Sequence, residues 1–428
     1  MERGPSWPRS IGWTTFPGGA WPAMMGRSPP RSRASRPRCS VRKGGNLAAG
    51  PRSADKLSAV ALYVVSDLHL GESTLASMFR DEDQGRRFTE VCTRVASEPD
   101  GELILLGDIF DLTAACPPHK GLTQFGVSLD VPIEDKPPRP LPAVMKSIRE
   151  HNPTALDALE RLSAQAPVTL VPGNHDRHLA EGGGREALDA AGLPKVGIET
   201  MAARRVLDKW VVLQHGHQWD PSNATPTGGG ETMTAVIHHA VIPFLRHITP
   251  RLNVHIDPDR LVALRPEERV IPVLERWLRP GVFERFIDAL LAILVENGAL
   301  ARPLAWVTTP SLLRWRLKDD DDLWERAGAS ALAVLEGVKS LPGKPPPPDV
   351  LVLGHTHVMD WAVQDGRPGV QRLYVNLGTW SARATDAAGP MDAAMPLLQI
   401  DADSRQLRAQ MVDCSRRWRP LQRFEVDR

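Results

Sequence analysis

Thirteen histidines are scattered over 428 residues, but several recur in short clusters with aspartate or asparagine. In chain order these are Ser66-Asp67-Leu68-His69, Gly107-Asp108-Ile109-Phe110-Asp111, Gly173-Asn174-His175-Asp176-Arg177-His178, His215-Gly216-His217 and Gly354-His355-Thr356-His357. Carboxylate oxygen and imidazole nitrogen together form the mixed donor set that suits Mn, Fe or Zn better than Ca or Mg. The spacing of two in Asp67-x-His69 and His355-x-His357 puts both side chains on one face of a strand. In a loop just past the strand they instead splay toward two neighbouring ions. Glycines before Asp108, Asn174 and His355 let the backbone turn sharply beside a metal. One such cluster is weak, because a lone His-Gly-His or Asp-x-His arises by accident. The ordered series does not.

Each cluster follows a short apolar run. Val60-Ala61-Leu62-Tyr63-Val64-Val65, Leu103-Ile104-Leu105-Leu106, Val168-Thr169-Leu170-Val171, Trp210-Val211-Val212-Leu213 and Val350-Leu351-Val352-Leu353 read as strands covered on both faces. Phe88, Val91, Cys92 and Val95 have the spacing of a helix face, as do Leu156, Leu159 and Leu162. Alternating strand and helix predicts a layered α/β fold. In such sheets ligands bind beyond the carboxyl ends of the strands, where all five clusters would meet. Residues 372–375, 397–400 and 407–412 read as further strands without intervening helices, so an antiparallel element is expected to close the sheet. Residues 115–150 are Pro-rich and read as irregular. Residues 220–345 read as a large helical insertion, with Phe283, Phe286, Ile287, Leu290, Leu291 and Leu294 in one stripe and Trp277, Trp306, Trp315 and Trp324 nearby. Within it, Asp319 to Asp322 read as a solvated turn or helix start, and Pro345 to Pro348 as a stiff spacer. The expected organisation is a tail over 1–56, a main domain over 57–219 and 346–428, and the insertion between.

The balance of 52 basic and 51 acidic residues hides a split. Ten Lys/Arg and one acid fall in residues 1–54, which leaves a body of 42 basic against 50 acidic residues. An acidic body argues against a broad nucleic-acid surface. The tail, rich in Pro, Gly, Ser and Arg, shows no periodicity and no apolar stretch fit for a secretory signal. It reads as disordered, or as sequence upstream of the true start. Four cysteines form no CxxC pair and no disulfide framework, which fits a reducing, cytoplasmic setting. No apolar run approaches the ~20 residues of a membrane span.

In order and spacing, Asp67-x-His69, Gly107-Asp108-x-x-Asp111, Gly173-Asn174-His175-Asp176, His215 and Gly354-His355-x-His357 resemble the signature of the calcineurin-like metallophosphoesterases, over about residues 58–218 and 349–412. The resemblance implies a four-layer α/β/β/α sandwich with a two-metal centre at one end. It implies that Asp67, His69 and His357 bind a first ion, that Asn174, His215 and His355 bind a second, and that Asp108 bridges them. The implied enzyme hydrolyses a phosphomonoester or phosphodiester by in-line attack of a metal-bridging hydroxide, with Mn²⁺ the first choice and Fe or Zn the alternatives. His175 would protonate the leaving oxygen, with Asp111 orienting it. Arg177, His178 and His217 are further candidates for contact with substrate.

The first two motifs are also similar to the bacterial UDP-2,3-diacylglucosamine pyrophosphohydrolase branch, which has a helical lid over acyl chains. Here the insertion is longer, and His175 stands where the lipid enzymes have arginine. An ordinary phosphoesterase is therefore the expectation, and a lipid pyrophosphatase the alternative. A non-catalytic scaffold and a DNA nuclease are alternatives of other classes; the complete donor set weighs against the first and the acidic body against the second. The insertion is expected to be a helical subdomain, the alternative being a lid or a peripheral contact with lipid. Its histidines, His238, His239, His247 and His255, lack ligand-like company and read as structural or solvated, and Asn376 and Gly378 read as scaffold.

Overall fold

The five apolar runs become the strands β1 (Ala61–Val65), β2 (Gly101–Leu106), β3 (Val168–Val171), β6 (Lys209–Leu213) and β7 (Val350–Leu353). The structure, a computed structural model, describes residues 61–427 except 73–77, 113–119, 136, 208, 221–222, 225–228, 252–259, 262, 264–269, 299–347, 366–370, 382, 385–390, 393 and 403–405. The basic tail, His255, Trp306, Trp315, Trp324, Asp319 to Asp322 and Pro345 to Pro347 lie outside the described residues.

Two sheets carry the fold. In the first, β1, β2, β3 and the short β4 (Gly197–Ile198) run parallel. On the other side of β1 lie the antiparallel strands β12 (Pro396–Ala402), β13 (Gln406–Asp413) and β14 (Arg419–Asp427). The second sheet has the order β5 (Ala202–Val206), β6, β7, β9 (Gln371–Asn376), β8 (Asp360–Asp365), with β6, β7 and β9 parallel at its centre. A two-stranded ribbon, β10 (Arg383–Ala384) with β11 (Met391–Asp392), stands apart from both sheets.

The period of two along each strand sorts the side chains. Leu62, Val64, Ile104 and Leu106 face Val211, Leu213, Val350 and Val352 in one core between the sheets. Tyr63, Val65, Leu103 and Leu105 point the other way, into a core shared with α1 (Arg86–Ser97), α3 (Leu141–His151), α4 (Pro153–Ser163) and α5 (Gly184–Ala190). Phe88, Val91, Cys92 and Val95 of α1 are all buried there, as are Leu156, Leu159 and Leu162 of α4. On the outer face of the second sheet, Val212, Leu351, Leu353 and Tyr374 cluster with Trp219. The mixed α/β, two-sheet architecture is the expected one.

Two expectations change. Residues 372–375 do not join the antiparallel closure: β9 instead pairs parallel to β7 in the second sheet, with Leu373 and Val375 facing one core and Tyr374 the other. Residues 115–150 are not irregular: they include α2 (Leu122–Leu129) and α3. Leu122, Phe125 and Leu129 share a buried face. Pro140 and Pro142 stand at the start of α3, where a missing N–H costs nothing.

Between β6 and β7 the described chain is helical: α6 (Gly230–Val236), a π-helical turn Ile237–Val241, α7 (Ile242–Ile248), α8 (Val270–Trp277) and α9 (Pro280–Glu296). These helices share a core with α2, built on Phe125, Phe244 and Phe286. Phe244 stacks on Phe286 at 4.9 Å between centroids, and Phe125 meets both edge-on. The stripe on α9 is only partly covered: Phe286, Leu290 and Leu294 are buried, but Leu291 is 44% exposed. Among the described residues, no helix is long and apolar enough to cross a membrane.

Candidate metal centre

The parallel strands end at one rim, and the chain turns abruptly there. Asp67, His69, Asp108, His355 and His357 all have positive φ, between 50° and 70°. This region costs energy for residues other than glycine, and such strain gathers at functional sites. Backbone bonds hold the turns: Asp67 N–H donates to Gly107 O at 3.0 Å, His69 N–H to Asp108 O at 3.0 Å, and Leu70 N–H to Ile109 O at 2.9 Å. Thr379 Oγ1 donates to Asp67 O, and Asn376 Nδ2 to Gly354 O, each at 2.8 Å. Gly107, at φ +76°, has no room for a side chain, since a Cβ there would run into the His215 ring.

Donor atoms of Asp67, His69, Asp108 and His357 lie within 4.8 Å of one another, as do those of Asp108, His215 and His355. Nε2 of His357 is 3.2 Å from Oδ1 of Asp67, and Nε2 of His215 is 3.1 Å from Oδ2 of Asp108. Asn174 is buried, and the next backbone N–H, that of His175, donates to Asp108 Oδ1 at 2.8 Å. Buried polar atoms normally find partners. Here Asp67 Oδ1, Asn174 Oδ1 and His215 Nε2 have no hydrogen bond, while the Nε2 atoms of His69 and His357 face each other at 3.0 Å. Lone pairs converging without donors fit divalent cations.

Electrostatics agree. Burial would raise Asp108, but His215 and His175 outweigh it and hold the carboxyl well below its usual range. Burial would lower His215, but Asp108 and Asp67 push it up to about 10, so a positive charge is favoured at this point. Burial, with His175 and His357 nearby, pushes His69 down to about 3, leaving the neutral imidazole that a metal requires. His215 Nδ1 lies 3.0 Å from Leu106 O; in the neutral ring this bond keeps the proton on Nδ1 and leaves Nε2 the lone pair.

A third cluster joins His69, Asp111 and His175. His175 Nδ1 is 3.3 Å from Asp111 Oδ1, and its Nε2 is 3.9 Å from Asp108 Oδ2. Burial opposes a charge on His175, but Asp108 and Asp111 outweigh it and push the ring up to about 9. The other oxygen of Asp111, Oδ2, is 3.5 Å from Nε2 of His238, a residue the sequence marked as structural or solvated.

Residues 61–359, about 70% of the chain, match the family model for the calcineurin-like phosphoesterases. The chain belongs to that family. Among solved structures, the chain is similar to a predicted phosphoesterase from Streptococcus pneumoniae, at 11% identity and a TM-score of 0.29, over 87% of this chain and 99% of that one. Zinc-complexed Vps29 from Entamoeba histolytica shares 10% identity at a TM-score of 0.29, over 86% and 98% of the two chains. GAP50 of Plasmodium, described as an anchor in the inner membrane complex, shares 11% identity at a TM-score of 0.31, over 86% and 89%. No curated protein matches the chain.

The remaining candidates of this family member lie around the donor groups. Arg177 and His178 both reach Glu231 of α6, at 3.3 and 3.2 Å, and neither belongs to a donor group. His217 lies beside His215 with ring centroids 5.5 Å apart, and burial, His215 and His355 push it down to about 3. Two carboxylates escaped the sequence reading. Asp176 is fully buried and accepts from the N–H groups of Asp108, Ile109, Phe110 and Gly173, which pins the bridging loop to the third motif. Burial and then the charge of Asp108 push it up to about 6. Asp220 contacts His355. Asp176 carried a signal, since it closes the third motif; Asp220 carried only its nearness to His215-Gly216-His217.

Proposed function

We propose that this family member hydrolyses a phosphomonoester or phosphodiester with two divalent cations, Mn²⁺ first among them. The observation that carries this reading is Asp108, whose carboxylate belongs to both donor groups and sits between them. Asp67, His69 and His357 would hold one ion, and Asn174, His215 and His355 the other. Such a pair of ions supplies a nucleophile at neutral pH and neutralises charge on the phosphate oxygens.

The chain's own groups do the rest. Nδ1 of His175 is held by Asp111, which leaves Nε2 to protonate the departing oxygen. Asp176 keeps the loop carrying Asp108 against the loop carrying Asn174. His69, His215 and Asp67 are 1% exposed or less, so the donors work in surroundings closed to bulk water. Cys92 and Cys414 are buried and free, which supports a reducing, cytoplasmic setting.

The test is hydrolysis of p-nitrophenyl phosphate and bis-p-nitrophenyl phosphate by the metal-stripped chain with and without added Mn²⁺. Turnover that returns with Mn²⁺ and is abolished by Asp108→Ala supports the reading. Turnover that survives full chelation refutes it. A screen over nucleotides, phosphoproteins and UDP-2,3-diacylglucosamine-type lipids then finds the substrate class.

A further inference from the structure

Asp220 follows the turn His217–Trp219, where the chain leaves the second sheet for the helical segment. It is buried, and its Oδ2 stands 3.0 Å from Nε2 of His355. The same oxygen accepts from Nδ2 of Asn223 at 2.7 Å. The carbonyl of Asn223 accepts from Nη2 of Arg177 at 3.4 Å, and Nε of Arg177 donates to the carbonyl of Asn174 at 3.3 Å. A hydrogen-bonded arc therefore joins the His355 ring to the backbone of Asn174, both residues assigned above to the second ion alone. Asp220 is not in the donor group of Asp108, His215 and His355. Its carboxylate addresses a ligand rather than the ion.

We propose that Asp220 is a positioning residue for the second cation: it accepts the Nε2 proton of His355, fixes the ring, and leaves the Nδ1 lone pair as the donor. The inference rests on the two-ion reading and adds a role within it. A neutral imidazole carries one proton, and the acceptor that holds it decides which nitrogen is free for a metal. A carboxylate in that place also raises the basicity of the free nitrogen. His215, in the same group, is fixed by the neutral carbonyl of Leu106 instead. In the first group, His69 Nδ1 is buried with no hydrogen-bond partner, so no carboxylate fixes that ring. Loss of Asp220 should therefore fall on one ion of the two.

The experiment is calorimetric titration of the chelator-stripped full chain with Mn²⁺, for the parent, Asp220→Ala and the near-isosteric Asp220→Asn. Loss of such an outer carboxylate typically costs about 10–100-fold in metal affinity. The parent should bind two equivalents. Asp220→Ala should keep one at parental affinity and bind the other about 10–100-fold more weakly, with Asp220→Asn, which retains a neutral acceptor, in between. Metal-free melting of each variant reports whether it is folded, and the asparagine variant carries the test if the alanine variant is not. Parental affinity at both sites in the variants overturns the role of Asp220 and leaves the two-ion reading standing. So does equal weakening of both sites. A parent that binds no Mn²⁺ overturns both.

Discussion

Asp176→Asn changes one side-chain atom and tests what holds the bridging loop in place. In the parent, Oδ1 accepts from Asp108 N–H at 3.3 Å and Gly173 N–H at 2.6 Å, and Oδ2 from Ile109 N–H at 2.8 Å and Phe110 N–H at 3.2 Å. Whichever oxygen becomes the amide nitrogen, two buried N–H groups lose their acceptor and face a donor. Each orphaned buried donor costs about 1–3 kcal/mol, and Asp176 is fully buried, so water cannot take over. The gross penalty is about 2–6 kcal/mol. Against it stands the relief of a buried charge that repels Asp108, the same repulsion that helps push Asp176 up to about 6. The net loss should lie near the lower bound, about 2 kcal/mol, a large fraction of the ~5–15 kcal/mol typical of a domain. Urea denaturation of parent and variant at pH 7 measures it. A variant within ~0.5 kcal/mol of the parent, the range expected of an inconsequential surface change, would mean that these four bonds do not secure the loop.

Further outcomes follow from the same contacts. His175→Ala should slow hydrolysis of alkyl phosphates by about 10²–10⁴-fold and of activated aryl esters far less, with metal content unchanged; an equal loss for all leaving groups would rule out the acid role. His238→Ala removes the partner of Asp111 Oδ2 and should give a milder form of that leaving-group dependence, with His238→Gln recovering part of it; a variant with parental leaving-group dependence would place His238 outside the site. Glu231 first, and then Glu181, raise His178 above its ordinary 6.5. The pair's contribution is therefore complete below about pH 6.5 and is lost as pH rises through the raised value. Being partly exposed, it is worth under about 1 kcal/mol; a stability gap between parent and His178→Ala that widens from pH 6 to pH 9 would contradict the sign. Phe286→Ala empties a fully buried ring stacked on Phe244 and should cost about 3–5 kcal/mol in thermal or urea unfolding.

The strands beneath the site were legible because both their faces are buried, which leaves continuous apolar runs that end where the ligand-type residues begin. Strand β5, with Arg204 and Arg205 in its middle, and β14, with Arg419 and Arg423, gave no such signal. They are edge strands, and polar residues are tolerated there. The place of β9 could not be read either, since its apolar residues fit any two-faced strand and only pairing with β7 selects the second sheet. Helix α2 was hidden among prolines because its partners, Phe244 and Phe286, come from far along the chain. Similarly, Asp220 and His238 act by contact with His355 and Asp111, and nothing local in the sequence announces a partner 135 residues away, as between Asp220 and His355.

The proposed two-cation site stands on Asp108 being shared by both ions. Anomalous diffraction from crystals soaked in Mn²⁺ tests it most directly. Two peaks are expected, one among Asp67, His69 and His357 and one among Asn174, His215 and His355, with the Asp108 carboxylate touching both. A single peak, or density away from Asp108, would contradict it.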